Sequence, residues 1–374
     1  MPSVSAEPRI IPLVEPLFPP EYAEAVRDQV LSGFVGPGPA SQSFASALAG
    51  FAGVPGSVLT VSGTMALSIA AKALGLQTGD EILVPAYGVI ATINAFASIG
   101  VRPKLVDVDR ETGCMSPKLL EAAMSPQTRA VCYVNFSGYT GPGLVQTAGA
   151  CAGRGIPLIE DAACALGHRF NGRAAGTFGT IGTYSFSVPK VITTGQGGAL
   201  ISHDRALLDK AAALIDHGDL EWRKTNLNRG VGTNLRFTDI QARLGLCQIH
   251  DLESRLERRR ASFAVLRKAL GRYLYQVAGE QAPLHNIVFA EQPDALVAAL
   301  RQRNIHAVRQ YRTLSQHPAY AGLAGSYPNA DAWTNHAVYL PFGMSLTPED
   351  AERVAAAVKS SAIPLLPWRS DEHD

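Results

Sequence analysis

The sequence predicts an α/β fold: a large domain with a mainly parallel sheet flanked by helices, followed by a smaller C-terminal α/β domain. Three observations predict it. Short apolar runs alternate with helical patterns from residue 58 to 160. A long helical pattern with its own start signal then begins at Thr238. Beyond it, residues 283–366 hold one more strand–helix unit, a strand pair near His306 and residues 338–340, and a final helix. The expected division is an arm over 1–20, a large domain over 21–245, and a linking helix with the small domain over 246–374.

Composition narrows the function classes. A chain of 374 residues can bury a large core and divide into two domains. The 33 Lys+Arg against 32 Asp+Glu leave no charge excess for nucleic acid or an anionic membrane. The 5 cysteines (114, 132, 151, 164 and 247) show no CxxC spacing, so no zinc site or disulfide framework is expected, and a reducing cytoplasm fits. The first residues lack a basic segment followed by an apolar run, so no signal peptide is read. No apolar stretch reaches membrane-span length.

Residues 1–20 are proline-rich and read as an extended arm. Tyr22, Ala25, Val26, Val30 and Leu31 are spaced for a helix over 21–31. A loop over 33–41 precedes a second helix at 44–51. Residues 58–61 form a strand, Ser62-Gly63-Thr64 a turn, and 65–74 a helix ending at Gly75. Such a turn is either a plain connection or an anion site, because the first N–H groups of a helix have no partner within it. Strands follow at 81–84, 102–108, 130–136 and 156–160, with helices at 90–99, 117–123 and 145–154 between them. Ligands in such sheets sit at the carboxyl ends of strands. Asp161 stands at one such end, either as the N-cap of a helical turn over 162–166 or as an acid facing a cofactor ring nitrogen.

No GxGxxG follows a strand; Gly176, Gly179 and Gly182 are spaced GxxGxxG, which disfavours a nicotinamide enzyme. HExxH, GxSxG and Walker patterns are absent. Past the strand at 199–202, a helix covers 204–215, and His217-Gly218 ends it. Residues 221–232 read as a polar surface loop. Thr238-Asp239-Ile240-Gln241 is a capping box that starts a helix running to about Leu270. The ESRLERRR stretch of that helix reads as a solvated face.

The stretch 181–199, IGTYSFSVPKVITTGQGGA, organises the rest. A strand over 183–187 breaks at Pro189, and Lys190 follows between Val188, Pro189, Val191 and Ile192. Apolar surroundings disfavour the charged ammonium and free the amine as a nucleophile. Gly195, Gly197 and Gly198 permit close backbone approach to a flat ligand. Ser185 and Ser187 offer hydroxyls of the kind a phosphate needs. The lysine is thus either a Schiff-base residue or a strand-end residue beside a turn.

Taken in order, these motifs resemble the DegT/DnrJ/EryC1/StrS family of sugar aminotransferases. They are IPLVEP near the start, SGTMAL (62–67), DEILVPAYGVIATINA (80–95), LVDVD (105–109), IEDAACALG (159–167), GTYSFSVPKVITTGQGG (182–198), GTNLRFTDIQARLGLCQI (232–249) and LPFGMSLTPEDAERV (340–354). The resemblance covers nearly the whole chain. It implies the fold-type I class, a seven-stranded-type sheet, and pyridoxal 5'-phosphate as cofactor. Lys190 would carry the cofactor as a Schiff base and shuttle the proton. Asp161 would keep the pyridine nitrogen protonated. Ser185 and the backbone of Gly63, Thr64 and Met65 would bind phosphate, with Val89 and Cys164 also at the cofactor. Asn234 would reach the phosphate of a partner subunit, implying a homodimer with shared sites.

The chain departs from the family pattern. Val89 holds the place of a stacking aromatic, and Tyr87, two residues earlier, is the substitute the sequence offers. Cys164 stands for Gln or His, Gln196 for Glu, and Asn135 and Ser315 for histidines. These leave the lysine chemistry intact and open the question of substrate. The expected activity is transfer of an amino group from L-glutamate or glutamine to a keto-sugar, a nucleotide-linked 4-keto-6-deoxy hexose. The alternatives are a cyclitol or other polyol ketone as acceptor, or a cofactor-binding sensor without turnover. Dehydratase relatives replace the lysine with histidine, so Lys190 favours transamination.

Overall fold

Why the strands read so clearly from sequence is plain in the computed structural model, which describes residues 9–277 and 281–369. The inner strands of the large sheet are almost wholly buried on both faces, as a helix-covered parallel sheet demands, while its two edge strands are only partly buried. The strands of the large sheet are β1 (Gly56–Thr60), β2 (Glu81–Pro85), β3 (Arg102–Val106), β4 (Thr128–Val134) and β5 (Leu158–Asp161). A small hairpin follows, β6 (Arg169–Phe170) and β7 (Arg173–Ala174), and then β8 (Ile181–Ser185) and β9 (Gly198–Ser202) complete the sheet. The order is β1-β9-β8-β5-β4-β2-β3, a seven-stranded sheet in which only β9 runs against its neighbours. The ends of β4 and β8 fall two residues before those expected.

The helices of this half are α1 (Pro20–Leu31), α2 (Pro39–Ala52), α3 (Gly63–Ala73), α4 (Ile90–Ala97), α5 (Pro117–Ala123), α6 (Pro142–Ala152), α7 (Arg205–Ile215) and the short α8 (Trp222–Thr225). The last lies inside the expected polar loop. Gly38 cannot cap α2, so Asp239 does: its carboxylate accepts from the N–H groups of Gly38, Ala40 and Ser41 and from the Ser41 hydroxyl. That ties the loop after α1 to the start of the next long helix.

The expected single helix from Thr238 is two: α9 (Asp239–His250) and α10 (Leu252–Leu270). The capping box at Thr238 and Gln241 is present. The break falls at Asp251, whose carboxylate accepts from the Tyr22 hydroxyl at 2.5 Å. The apolar spacing persists across the break, which is why the pattern reads as continuous. ESRLERRR is a solvated face only in part: Glu253, Ser254, Glu257 and Arg258 are exposed, but its other side is not. Arg255 and Arg259, one turn apart, are buried. Arg259 donates to the carbonyls of Phe342, Pro283 and Leu284 at 2.8, 2.5 and 2.7 Å.

The C-terminal part holds α11 (Pro293–Arg301), α12 (Pro328–His336) and α13 (Pro348–Lys359) around a three-stranded antiparallel sheet. Its order is β11-β10-β12, with β10 (Asn286–Ala290), β11 (Ala337–Leu340) and β12 (Leu365–Leu366). Near His306 there is no full strand, only isolated bridges: Ile305 with Ile11, and Val308 with Tyr339. The arm is thus pinned at the buried Ile11. Its first eight residues and the polar tail from Ser370 lie outside the described residues.

Candidate active site

The carboxyl ends of β1, β4, β5 and β8 converge on a cavity of about 250 Å³. Lys190 and Asp161 face into it. Lys190 sits in a tight turn, its N–H donating to the Ser187 carbonyl at 3.0 Å. The segment that follows is held from behind. Arg255 Nε donates to the Val191 carbonyl at 2.9 Å, and Gln248 exchanges two hydrogen bonds with the backbone of Thr193. Lys190 Nζ donates to Cys164 Sγ at 3.1 Å.

Asp161 is 5% exposed. The stretch after it is a pair of turns rather than a helix. Its Oδ1 accepts from the Ala163 N–H at 3.1 Å, and Oδ2 accepts from Thr92 Oγ1 at 2.8 Å. Burial raises its pKa, while Thr92, Ala163 and the charge of Lys190 pull it down. Thr92, on α4, was invisible to sequence reasoning; it reads as one more polar residue in a helical pattern.

At the other end of the cavity, Ser62 caps α3 by accepting from the Met65 N–H at 3.2 Å. That leaves Gly63 and Thr64 as first-turn N–H donors without a partner inside the helix. A Cβ on Gly63 would stand 2.8 Å from the Ser185 Cβ. Only glycine therefore lets the helix start lie against the Ser185 hydroxyl. The nook these groups form fits a phosphate, the lysine and acid fit an aldehyde-bearing pyridine ring, and no metal-binding cluster occurs among the described residues.

Of the expected site residues, Lys190, Asp161, Cys164, Ser185, Gly63, Thr64 and Val89 line this cavity together. Met65 does not, its N–H being taken by Ser62. Asn234 lies on the surface outside the lining, its Oδ1 accepting from Arg236 Nε at 2.9 Å. Tyr87 is no substitute for an aromatic at Val89. It is fully buried among Phe136, Tyr311 and Trp333, and its hydroxyl is 3.0 Å from that of Tyr339. The lining contains no aromatic residue. Asn135 is buried outside it, donating to the Tyr139 carbonyl.

Two buried groups beside the site went unread in the sequence. Glu160 accepts from the N–H groups of Gly176, Phe178 and Gly179, which explains the GxxGxxG run as a turn wrapped around a carboxylate. Burial still pushes its pKa up to about 6. His285 lies among Tyr311, Tyr339 and Phe342. Burial, then the charges of Lys190 and Arg259, hold its imidazole well below the ordinary range.

A lysine facing a buried acid across a cavity at the strand ends of a mainly parallel seven-stranded sheet defines a pyridoxal-phosphate-dependent transferase. The chain belongs to the DegT/DnrJ/EryC1/StrS aminotransferase family, whose model matches residues 19–359. It is a pyridoxal-phosphate-dependent aminotransferase. It is 36% identical to the L-glutamine:2-deoxy-scyllo-inosose aminotransferase of Micromonospora echinospora, over 68% of this chain and 65% of that protein. It is 29% identical to the dTDP-4-dehydro-2,3,6-trideoxy-D-glucose 4-aminotransferase of Saccharopolyspora spinosa, over 92% and 95% of the two chains. Among solved structures, S. venezuelae DesV in complex with a ketimine intermediate superposes with a TM-score of 0.88 at 28% identity, covering 97% of this chain and 100% of that one.

Proposed function

We propose that the enzyme moves an amino group from L-glutamate or glutamine to a keto-sugar, a nucleotide-linked 4-keto-6-deoxy hexose, with Lys190 and Asp161 as catalytic residues. The observation that carries this reading is the cavity lined by both Lys190 and the buried Asp161 beside the open start of α3. The Saccharopolyspora relative supports the acceptor class. A cyclitol ketone is the second reading, favoured by the 36% identity to the inosose aminotransferase.

Pyridoxal phosphate, when bound, supplies an aldehyde that takes up the amino group and a ring that draws electrons from the substrate carbon. The chain's residues do the rest. The Gly63 and Thr64 N–H groups and the Ser185 hydroxyl would hold the phosphate at the positive end of α3. Asp161, oriented by Thr92 and Ala163, would keep the ring nitrogen protonated. Lys190 Nζ would take up and return the substrate proton, as a general base and then acid. Cys164 keeps that nitrogen in place, and the apolar walls from Leu67, Val89 and Val134 limit water.

We further propose a homodimer in which Asn234 reaches the partner's phosphate site. The exposure of Asn234, and of Leu227 and Val231 on the same loop, supports it. A cytoplasmic location is proposed; no helix among the described residues is long and apolar enough to cross a membrane. The test is a two-stage assay on the cofactor-loaded enzyme. Glutamate or glutamine should bleach the cofactor's visible band, and a panel of keto-sugar nucleotides and inososes should restore it. Restoration by neither acceptor class would refute the acceptor assignment.

A further inference from the structure

Two nucleophiles meet in the catalytic cavity, and amino transfer needs only one of them. Lys190 Nζ donates to Cys164 Sγ at 3.1 Å, and both side chains line the cavity of about 250 Å³. Cys164 is 9% exposed, so its sulfur is sheltered from bulk solvent yet open to a molecule the size of water that enters the cavity.

The contact is held from both sides. Cys164 sits in the turn after β5. There the Ala162 N–H donates to the Thr183 carbonyl at 3.0 Å, and the Ala165 N–H donates to the Ala162 carbonyl at 2.9 Å. Lys190 sits in its own turn, and the segment behind it is anchored by Arg255 and Gln248. Neither backbone is placed to carry its side chain away from the other. What freedom remains lies in the lysine stem. The sulfur also has one outlet on oxidation. All five cysteines are free thiols, and no second cysteine lines the cavity. A sulfenic acid is resolved by a neighbouring thiol or nitrogen, and here the neighbour is an amine.

We propose that Cys164 and Lys190 form a reversible sulfur–nitrogen cross-link when a peroxide enters the cavity. In the first step Sγ attacks one peroxide oxygen and the O–O bond breaks. The leaving hydroxide takes the thiol proton and departs as water; the sulfur gives up two electrons and the peroxide receives them. In the second step the Lys190 amine attacks the sulfur of the sulfenic acid and the S–O bond breaks. The hydroxide takes a proton from the nitrogen and departs as a second water. Two molecules of a small thiol reverse the link. The first attacks the sulfur and frees the amine with its proton; the second displaces the first as a disulfide and frees Cys164.

The link needs a free lysine amine. In the resting loaded enzyme that nitrogen is joined to the cofactor, and the donor half-reaction releases it. Peroxide would therefore arrest the enzyme between donor and acceptor. That dependence rests on the aminotransferase reading; the link in the cofactor-free protein does not.

The experiment is intact-protein mass and peptide mapping after hydrogen peroxide. It compares the enzyme loaded with pyridoxal phosphate, the loaded enzyme after glutamate, and the cofactor-free protein, with Cys164→Ser and Lys190→Ala beside wild type. Glutamate-treated and cofactor-free wild type should become lighter by two hydrogens, with the Cys164 and Lys190 peptides joined, and dithiothreitol should restore the original mass. The resting loaded enzyme should show no joined peptide. Lys190→Ala should stop at a sulfur one oxygen heavier that dimedone traps, and Cys164→Ser should not join. Wild type whose sulfur only gains oxygen, a link to another lysine, a link that forms equally in the resting loaded enzyme, or joining that persists in either variant overturns the inference. If glutamate fails to bleach the cofactor band, the aminotransferase reading falls instead, while joining in the cofactor-free protein still supports the cross-link.

Discussion

Replacing Thr92 with valine removes one hydroxyl and nearly preserves shape. In the native chain that hydroxyl donates to Asp161 Oδ2 at 2.8 Å, where the acid is almost wholly buried. Burial lifts the carboxyl's pKa, and the Thr92 bond is the largest of the effects opposing it. A hydrogen bond to a charged group is worth about 1.5–3 kcal/mol. Its loss should therefore raise the Asp161 pKa further. Asp161 must be ionised to hold the ring nitrogen's proton, so the acid limb of the donor half-reaction should move to higher pH. The assay is the rate at which glutamate bleaches the cofactor band, followed from acid to neutral pH. Thr92→Ser, which keeps a hydroxyl, should restore the wild-type profile. An unmoved acid limb in a valine variant that still binds cofactor would refute the role given to Thr92, and with it the claim that the ionised acid matters.

Gly63→Ala should weaken cofactor binding at least about tenfold in a spectrophotometric titration. The added Cβ would meet Ser185 at 2.8 Å and push the helix start off the phosphate nook, an overpacking cost of about 1–3 kcal/mol. Asp239→Ala strips four hydrogen bonds from the start of α2 and should cost about 2 kcal/mol in urea unfolding, the upper end for a lost cap. His168 is buried, and burial, then the charge of Arg259, hold its pKa down at about 4 against 6.5 when free. Its folded form is neutral, so its contribution is full above pH 6.5 and fades as pH falls toward about 4, a loss of about 3 kcal/mol. Unfolding curves of His168→Gln against wild type should therefore converge across that window as pH falls.

The strands of the large sheet were legible because most obey a local rule, an apolar run of limited length bounded by turn residues; the two-residue strands β6, β7 and β12 are too short to show one and were not read. The lysine loop was legible because its glycines and lone charge are adjacent in the chain. Other features depend on distance in space. Thr92 and Asp161 are 69 positions apart, and nothing in either segment announces the other. Tyr87 was the nearest aromatic in sequence to Val89, yet β2 delivers it into a core of Phe136 and Trp333 instead. Arg255 and Arg259 read as surface charge because the carbonyls that receive them belong to loops from elsewhere in the chain, Leu17, Val191, Pro283, Leu284 and Phe342. The break at Asp251 was hidden because both helices present their apolar faces in one continuing period. The purpose of the GxxGxxG run could not be read from its spacing, because it lies in the buried Glu160 that the run encloses.

The central claim is that Lys190 carries the cofactor and that the chain transaminates through it. The most direct measurement is borohydride reduction of the enzyme after loading with pyridoxal phosphate, followed by peptide mapping of wild type and Lys190→Ala. The account predicts a reduced cofactor adduct on the peptide containing Lys190, lost in the alanine variant, and absent from wild type once glutamate has converted the cofactor. An adduct on another lysine, or one that persists in Lys190→Ala, would contradict it.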